Sequence, residues 1–191
     1  DELVVDLRYN GGGLVSSCQK LCSMIAPADK LGEVAFTLRH NEQLEATLPD
    51  TQKQVKLLQS LAESNVNMSR VYFIVSDESA SASEMVIVGM RGLDVDATVV
   101  GLTTEGKNVG MTSTYVTVDG VKYVFSPITF RIENAMGFGN YSDGLTPDYL
   151  LSDQDLDFSD GDIDKMFPHS FGDWTAEGAN IALEAALADV L

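Results

Sequence analysis

Short apolar runs alternate with amphipathic stretches through the first half of the chain. "VYFIV" (Val71 to Val75) is wholly apolar, β-branched and aromatic, which predicts a strand buried on both faces of a mostly parallel sheet. The same pattern places strands near 2–9, 33–38 and 97–101, and helices near 14–26, 51–65 and 80–91. Strands alternating with helices predict an α/β fold. From Met111 the pattern changes. "MTSTYVTVDGVKYVF" reads as two alternating strands joined by Asp119-Gly120, a hairpin signal, with "PITFRIE" after them. An antiparallel edge on a parallel core fits this order. Residues 143–164 read as an acidic loop. Over 175–190, Ala179, Ala182, Leu183, Ala186, Leu187 and Val190 share one face of a closing amphipathic helix.

Composition narrows this picture. At 191 residues, 45% apolar and 21% charged, the chain has the make-up of one globular domain. Its 29 acids against 12 basic residues give a formal charge of −17, which argues against a nucleic-acid partner because no broad phosphate-attracting surface is left. No run reaches the roughly 18 consecutive apolar residues of a spanning helix, so no membrane-spanning segment is expected. The chain opens without Met, inside a strand, and is expected to be a fragment of a longer protein. Cys18 and Cys22 fall on one helical stripe with Leu14, Leu21 and Ile25, as small core residues do. No further Cys or His stands at ligand spacing, and the acidic run has no Gly at the sixth position of a calcium loop. Neither a metal nor another cofactor is expected. His40 and His169 read as surface residues.

Three stretches carry candidate chemistry. In "DESASASEMVIVGM" (77–90), Ser81 and Glu84 fit a capping box opening a helix. The same serine follows a strand through a tight turn, beside helix N–H groups able to stabilise an oxyanion. In "GLTTEGK" (101–107) the match to a phosphate-binding loop ends at Asn108, and strand-like sequence follows where a helix should open. Lys107 then reads either as an exposed turn lysine or as a neutral base toward a serine hydroxyl. Adjacent parallel strands would bring its turn to that of Ser81. At the start, "VVDLRYNGGGLV" ends a strand in Asn10-Gly11-Gly12-Gly13, a tight turn whose backbone amides can approach a ligand without Cβ obstruction.

"DLRYNGGG", "SASASEMVIVGM" and "GLTTEGKNVG", in this order, together resemble the carboxyl-terminal (tail-specific) processing proteases, a Ser–Lys serine peptidase family. "DGLTPDYLL" and the closing helix look like the family's carboxyl-terminal end, so the resemblance covers nearly the whole chain. It implies a ClpP/crotonase-like core, a mostly parallel sheet flanked by helices with an antiparallel hairpin near the active site. It further implies Ser81 as nucleophile, Lys107 as general base, and the backbone amides of Gly12 and Ala82 as the oxyanion hole. Two departures from the family pattern stand out. Met111 occupies the place of a glutamine that helps to orient the lysine, and the upstream PDZ domain that family members usually carry is not in this sequence.

The reading that results is a single protease core over 1–191, cleaving polypeptides through a Ser–Lys dyad and an acyl-enzyme. The substrate is expected to bind as an extended strand along Val109, Gly110, Met111 and Thr112. The resemblance implies the periplasm or cell envelope of a bacterium; nothing in the sequence specifies an oligomeric state. The alternative is a family-like core that has lost catalysis and holds peptides or hydrophobic ligands. Retention of Ser81 and Lys107 argues against it, and Met111 argues for it.

Overall fold

The computed structural model describes residues 2–151 together with Ala186 and Ala188. In chain order the elements are β1 (Leu3–Asp6), α1 (Val15–Ile25), β2 (Val34–Arg39), α2 (Glu42–Thr47), α3 (Asp50–Lys53), β3 (Gln54–Lys56), β4 (Arg70–Val75), α4 (Ala82–Gly92), β5 (Asp96–Gly101), β6 (Val109–Met111), β7 (Thr114–Val118), β8 (Val121–Phe125), β9 (Ile128–Asn134) and β10 (Tyr149–Leu150). β1, β4, β5 and β10 form a parallel sheet in that order. Its central strand β4 is buried from Val71 to Val75, as a wholly apolar run requires.

The helix α4 fixes the layering. Nine of its eleven residues are buried, including Met85, Ile87 and Met90, because it touches α1, β5, β2 and β9 at once. It therefore lies between the parallel sheet and a second, antiparallel one of order β3-β2-β9-β6. At Gly89 a Cβ would stand 2.3 Å from the Phe36 ring on β2, so the closest approach of helix to sheet needs a glycine.

Three expectations need correction. The antiparallel strands make separate sheets and not an edge on the parallel core, and β2 belongs to the antiparallel one, paired with β3 and β9. The segment 51–65 is not one helix. Val55 and Leu57 are both buried, a spacing of two that only an extended chain provides. Leu57 completes the pairing, giving its N–H to Glu33 O at 2.9 Å and accepting from Gly32 N at 3.0 Å. Only α3 and a 3-10 turn at Gln59–Ser64 remain of the expected helix. His40 is half-buried, with Nδ1 2.9 Å from Thr129 O, and is not a free surface residue. The hairpin forms as expected, with Asp119 and Gly120 both at positive φ.

Cys18 and Cys22 are buried and free, with sulfurs 3.8 Å apart; that contact and burial push the Cys18 thiol well up. Of the closing segment, Ala186 and Ala188 are helical, and Ala186 packs with Tyr72, Ile74 and Val100. The other residues expected in the closing helix, His169 and the part of the expected acidic loop beyond Leu151 lie outside the described residues. No described helix is long and apolar enough to cross a membrane.

Because Leu57 is 2% exposed, Leu57→Ala is expected to cost roughly 2–5 kcal/mol of unfolding free energy in urea titration. A change below about 0.5 kcal/mol, the usual range for surface substitutions, would place Leu57 on the surface and contradict this account of 54–58.

Candidate active site

β1, β4 and β5 run parallel and adjacent, so their carboxyl ends deliver three loops to one edge of the sheet. This edge is where open α/β sheets place their ligands. After β1 comes the glycine turn 10–13, after β4 the serine turn 76–81, and after β5 the loop carrying Lys107.

The three alternate serines separate by their partners. Ser79 is wholly buried; its hydroxyl donates to Leu7 O at 2.7 Å and accepts from Ser76 N at 2.9 Å. Ser83 donates to Asn10 O at 2.8 Å. Ser81 is half-buried, and its hydroxyl donates to no acceptor among the described residues. Its backbone is unusual, with φ 56° and ψ −114°, a region L-residues rarely occupy and one that costs roughly 1–3 kcal/mol. Such strain at the strand-to-helix turn is the geometry of a nucleophile elbow. Ser81 is also the N-cap of α4 with Glu84 as its capping-box partner, so the capping role is observed and leaves the hydroxyl free to donate.

Glu84 does more than cap. It is fully buried. Its Oε2 accepts from Ser81 N at 2.7 Å and Lys107 N at 2.9 Å, and its Oε1 from Gly106 N at 2.7 Å and Thr104 Oγ1 at 2.6 Å. One carboxylate thus ties the serine elbow to the lysine loop. Thr104 Oγ1 in turn accepts from Leu145 N at 2.8 Å. Burial, and after it the Glu84 charge, push the Tyr141 phenol well above its ordinary range, so this hydroxyl stays protonated.

Ser81, Ala82, Lys107, Val109, Gly110 and Met111 line one cavity of about 350 Å³, with Phe130 and Ile132 forming part of its apolar wall. Lys107 is half-buried, and its ammonium has no hydrogen-bond or ion-pair partner among the described residues. Strand β6 follows the lysine directly, as the broken phosphate-loop match implied.

Gly12 lies against the elbow. A Cβ there would stand 2.7 Å from Ala80 O, Ala82 N and Ser81 Cβ, so only glycine allows the approach. Its N–H donates to Asn10 Oδ1 at 3.0 Å, and it borders a smaller adjoining cavity of about 170 Å³ rather than the one at Ser81. Gly11 and Gly13 border the larger cavity. Ala82 is the first residue of α4, so its N–H has no intrahelical acceptor.

Of the four residues expected along the substrate, Thr112 is turned away from the cavity. Its N–H donates to Pro127 O at 3.3 Å and its hydroxyl lies 2.7 Å from that of Thr129. The roles of Glu84, Thr104 and the Asn10 carbonyl were missed in the sequence; only the capping-box spacing marked Glu84, and nothing marked its partners some twenty residues on.

With this geometry in view, the match to known proteins is specific. The model of peptidase family S41 matches residues 1–151. The chain belongs to peptidase family S41. A solved structure from Bacteroides fragilis NCTC 9343, assigned as an S41 protease, is 26% identical with a TM-score of 0.78, covering 100% of this chain and 44% of that one. A protein from Parabacteroides merdae ATCC 43184, assigned as a peptidase, shares the fold at TM-score 0.60 and 20% identity, over 100% of this chain and 52% of that one. The photosystem II D1 C-terminal processing protease shares it at 0.55 and 23%, over 81% and 36%. The chain thus spans about half or less of the length of these S41 relatives. No curated protein matches it.

Glu84→Gln replaces one of the two accepting oxygens by a donor, so whichever way the amide turns, at least one backbone N–H (Gly106, or Ser81 and Lys107) loses its acceptor and faces an N–H group. We expect a loss of at least about 1–3 kcal/mol in stability and a fall in kcat that persists at temperatures where the variant is folded. Full activity in a folded Glu84→Gln enzyme would show that the carboxylate does not align the two loops.

Proposed function

We propose that the protein is a serine endopeptidase of the carboxyl-terminal processing type, acting through a Ser81–Lys107 dyad. The observation that carries this reading is the sorting of the serines: Ser79 and Ser83 donate to backbone carbonyls, while Ser81 sits on a strained elbow facing the cavity that also holds Lys107. In the cycle, neutral Lys107 takes the Ser81 proton as the oxygen attacks a peptide carbonyl, and the resulting ammonium gives that proton to the leaving nitrogen as the C–N bond breaks, which returns the neutral amine. Water, deprotonated in the same way, releases the acyl group and restores the serine. The oxyanion falls to the Ala82 N–H and one amide of the glycine turn. For Gly12 to serve, its N–H must exchange its bond to Asn10 Oδ1 for one to the oxyanion.

The substrate enters as an extended strand. β6 ends its sheet in the order β3-β2-β9-β6, so one of its edges is unpaired among the described residues. Asn108 O accepts from Ile132 N on β9 and Thr112 N donates to Pro127 O just before that strand, so Val109 and Met111, the residues next to these inward-bonded ones, turn their N–H and C=O toward the open edge. A peptide paired there runs along the cavity that contains Ser81. On the family resemblance we place the enzyme in the periplasm or cell envelope of a bacterium.

Two experiments on the full-length protein test this. Ser81→Ala and Lys107→Ala should each lower peptide cleavage by several orders of magnitude, and the double variant should be little worse, because nucleophile and base act as one unit. If Ser83→Ala is the silencing change and Ser81→Ala is harmless, the nucleophile is misassigned. Met111→Pro removes one outward N–H without breaking the internal ladder, so peptide binding and cleavage should weaken together with little change in Tm. Unaltered peptide affinity in that variant would refute pairing along β6.

A further inference from the structure

The hairpin β7–β8 stands as a two-stranded sheet of its own, and all ten of its strand residues are exposed. Its two faces differ. The register pairs Thr114 with Phe125, Val116 with Tyr123 and Val118 with Val121, which puts five apolar side chains on one face. Val116, Val118, Val121, Tyr123 and Phe125 are each about half exposed, between 46% and 53%. The opposite face carries Thr117, Lys122, Tyr115 and Val124; the Lys122 ammonium lies 3.9 Å from the Tyr115 ring centroid, and Tyr115 and Val124 are 64% and 63% exposed, so that face holds two apolar side chains against five. A contiguous exposed apolar face marks an interaction site.

The root of the hairpin says what the face is for. Ser113 and Ser126 close it with hydroxyls 2.8 Å apart, and both line the cavity of Ser81 and Lys107. Met111, 47% exposed, joins β6 to this root. A chain paired along β6 and continuing past Met111 meets the hairpin next. Charge points the same way. The strands and turn carry one acid, Asp119, and one base, Lys122, on a protein of net charge −17, so this surface does not repel a polypeptide of either sign.

We propose that the apolar face of β7–β8 is an extension of the substrate site, which captures unfolded polypeptide by its apolar side chains and feeds it along β6. The proposal rests on the reading that substrate occupies the β6 edge. It identifies the substrate class as unfolded chains with apolar stretches, longer than the cavity alone holds.

The test uses the full-length protein with Val121→Thr/Tyr123→Thr, two exposed positions away from the dyad given another strand-forming residue. In a Ser81→Ala background, a fluorescently labelled, reduced and alkylated apolar polypeptide should bind about tenfold more weakly, the equivalent of two partly buried apolar side chains. With Ser81 intact, KM for that polypeptide should rise by a similar factor. Its kcat, the cleavage of a short peptide spanning only the cavity, the Tm and the sedimentation mass should not change. Tyr115→Thr on the opposite face should leave all of these as they were. Equal polypeptide affinity in the variant, an equal loss for the short peptide, or a fall from dimer to monomer would overturn the proposal, the last by giving the face to a second copy of the chain. If Met111→Pro leaves short-peptide binding intact while the hairpin variant loses polypeptide, pairing along β6 fails and capture by the hairpin stands.

Discussion

The site depends on one buried carboxylate. Taking Glu84 out of water costs several kcal/mol, and four donors offset that cost: the backbone N–H groups of Ser81, Gly106 and Lys107 and the Thr104 hydroxyl. Because the donors come from two loops, neither loop can shift without stranding a charge in the interior. The approach also constrains residues that touch no substrate. A Cβ at Gly106 would fall 2.5 Å from Gly144 N and Ser142 O, and one at Gly144 would fall 2.2 Å from Thr104 O. The lysine loop is therefore pressed against the chain that leads to β10, backbone on backbone.

A second set of bonds joins the glycine turn to the same platform. Asn10 O accepts from Ala80 N at 3.2 Å and from Ser83 Oγ at 2.8 Å, Ser79 donates to Leu7 O, and Ser76 donates to Arg8 O. Arg8 itself is buried, with its guanidinium 2.6 Å from Asp6 Oδ2. These ties hold the strained conformation of Ser81 in place, since a residue at φ 56° would otherwise relax. Strain and preorganisation are here two sides of the same arrangement: the bonds that join the glycine turn to the serine turn also hold the Ser81 backbone at its unfavourable dihedrals.

What the sequence shows of this follows from how far apart the partners lie. The strands that became β1, β4 and β5 were legible by position, and β4 most plainly, because a strand buried on both faces writes a continuous apolar run, as in Val71 to Val75; their order was not. The meeting of the serine and lysine turns followed only if their strands were adjacent and parallel. The segment 51–65 misled, because Val55, Leu57, Leu58 and Leu61 satisfy a helical spacing nearly as well as an extended one, and only the partner strand β2 decides. The second sheet was hidden for a related reason: antiparallel partners such as β2 and β9 lie about a hundred residues apart and leave no local signature of each other. Glu84 was legible only as a capping acid, its local role. Its bonds to Thr104, Gly106 and Lys107 are tertiary.

The open edge of β6 poses a problem that the rest of this region answers. An unpaired strand invites association with any extended chain, and proteins blunt such edges by keeping them short and irregular. β6 has three residues and a register shift between Gly110 and Met111, and its backbone lies flush on Phe130, whose ring would be 2.1 Å from a Cβ at Gly110. Few main-chain bonds are available on so short an edge, so pairing alone supplies little affinity and no preference among sequences. Discrimination has to come from side-chain surfaces next to it. The apolar wall of Phe130 and Ile132 lies on the cavity side, and the bare face of the hairpin lies beyond Met111. Under the proposed substrate path, a short edge between two apolar surfaces leaves the selection of a chain to those surfaces and offers a folded sheet too little to add to.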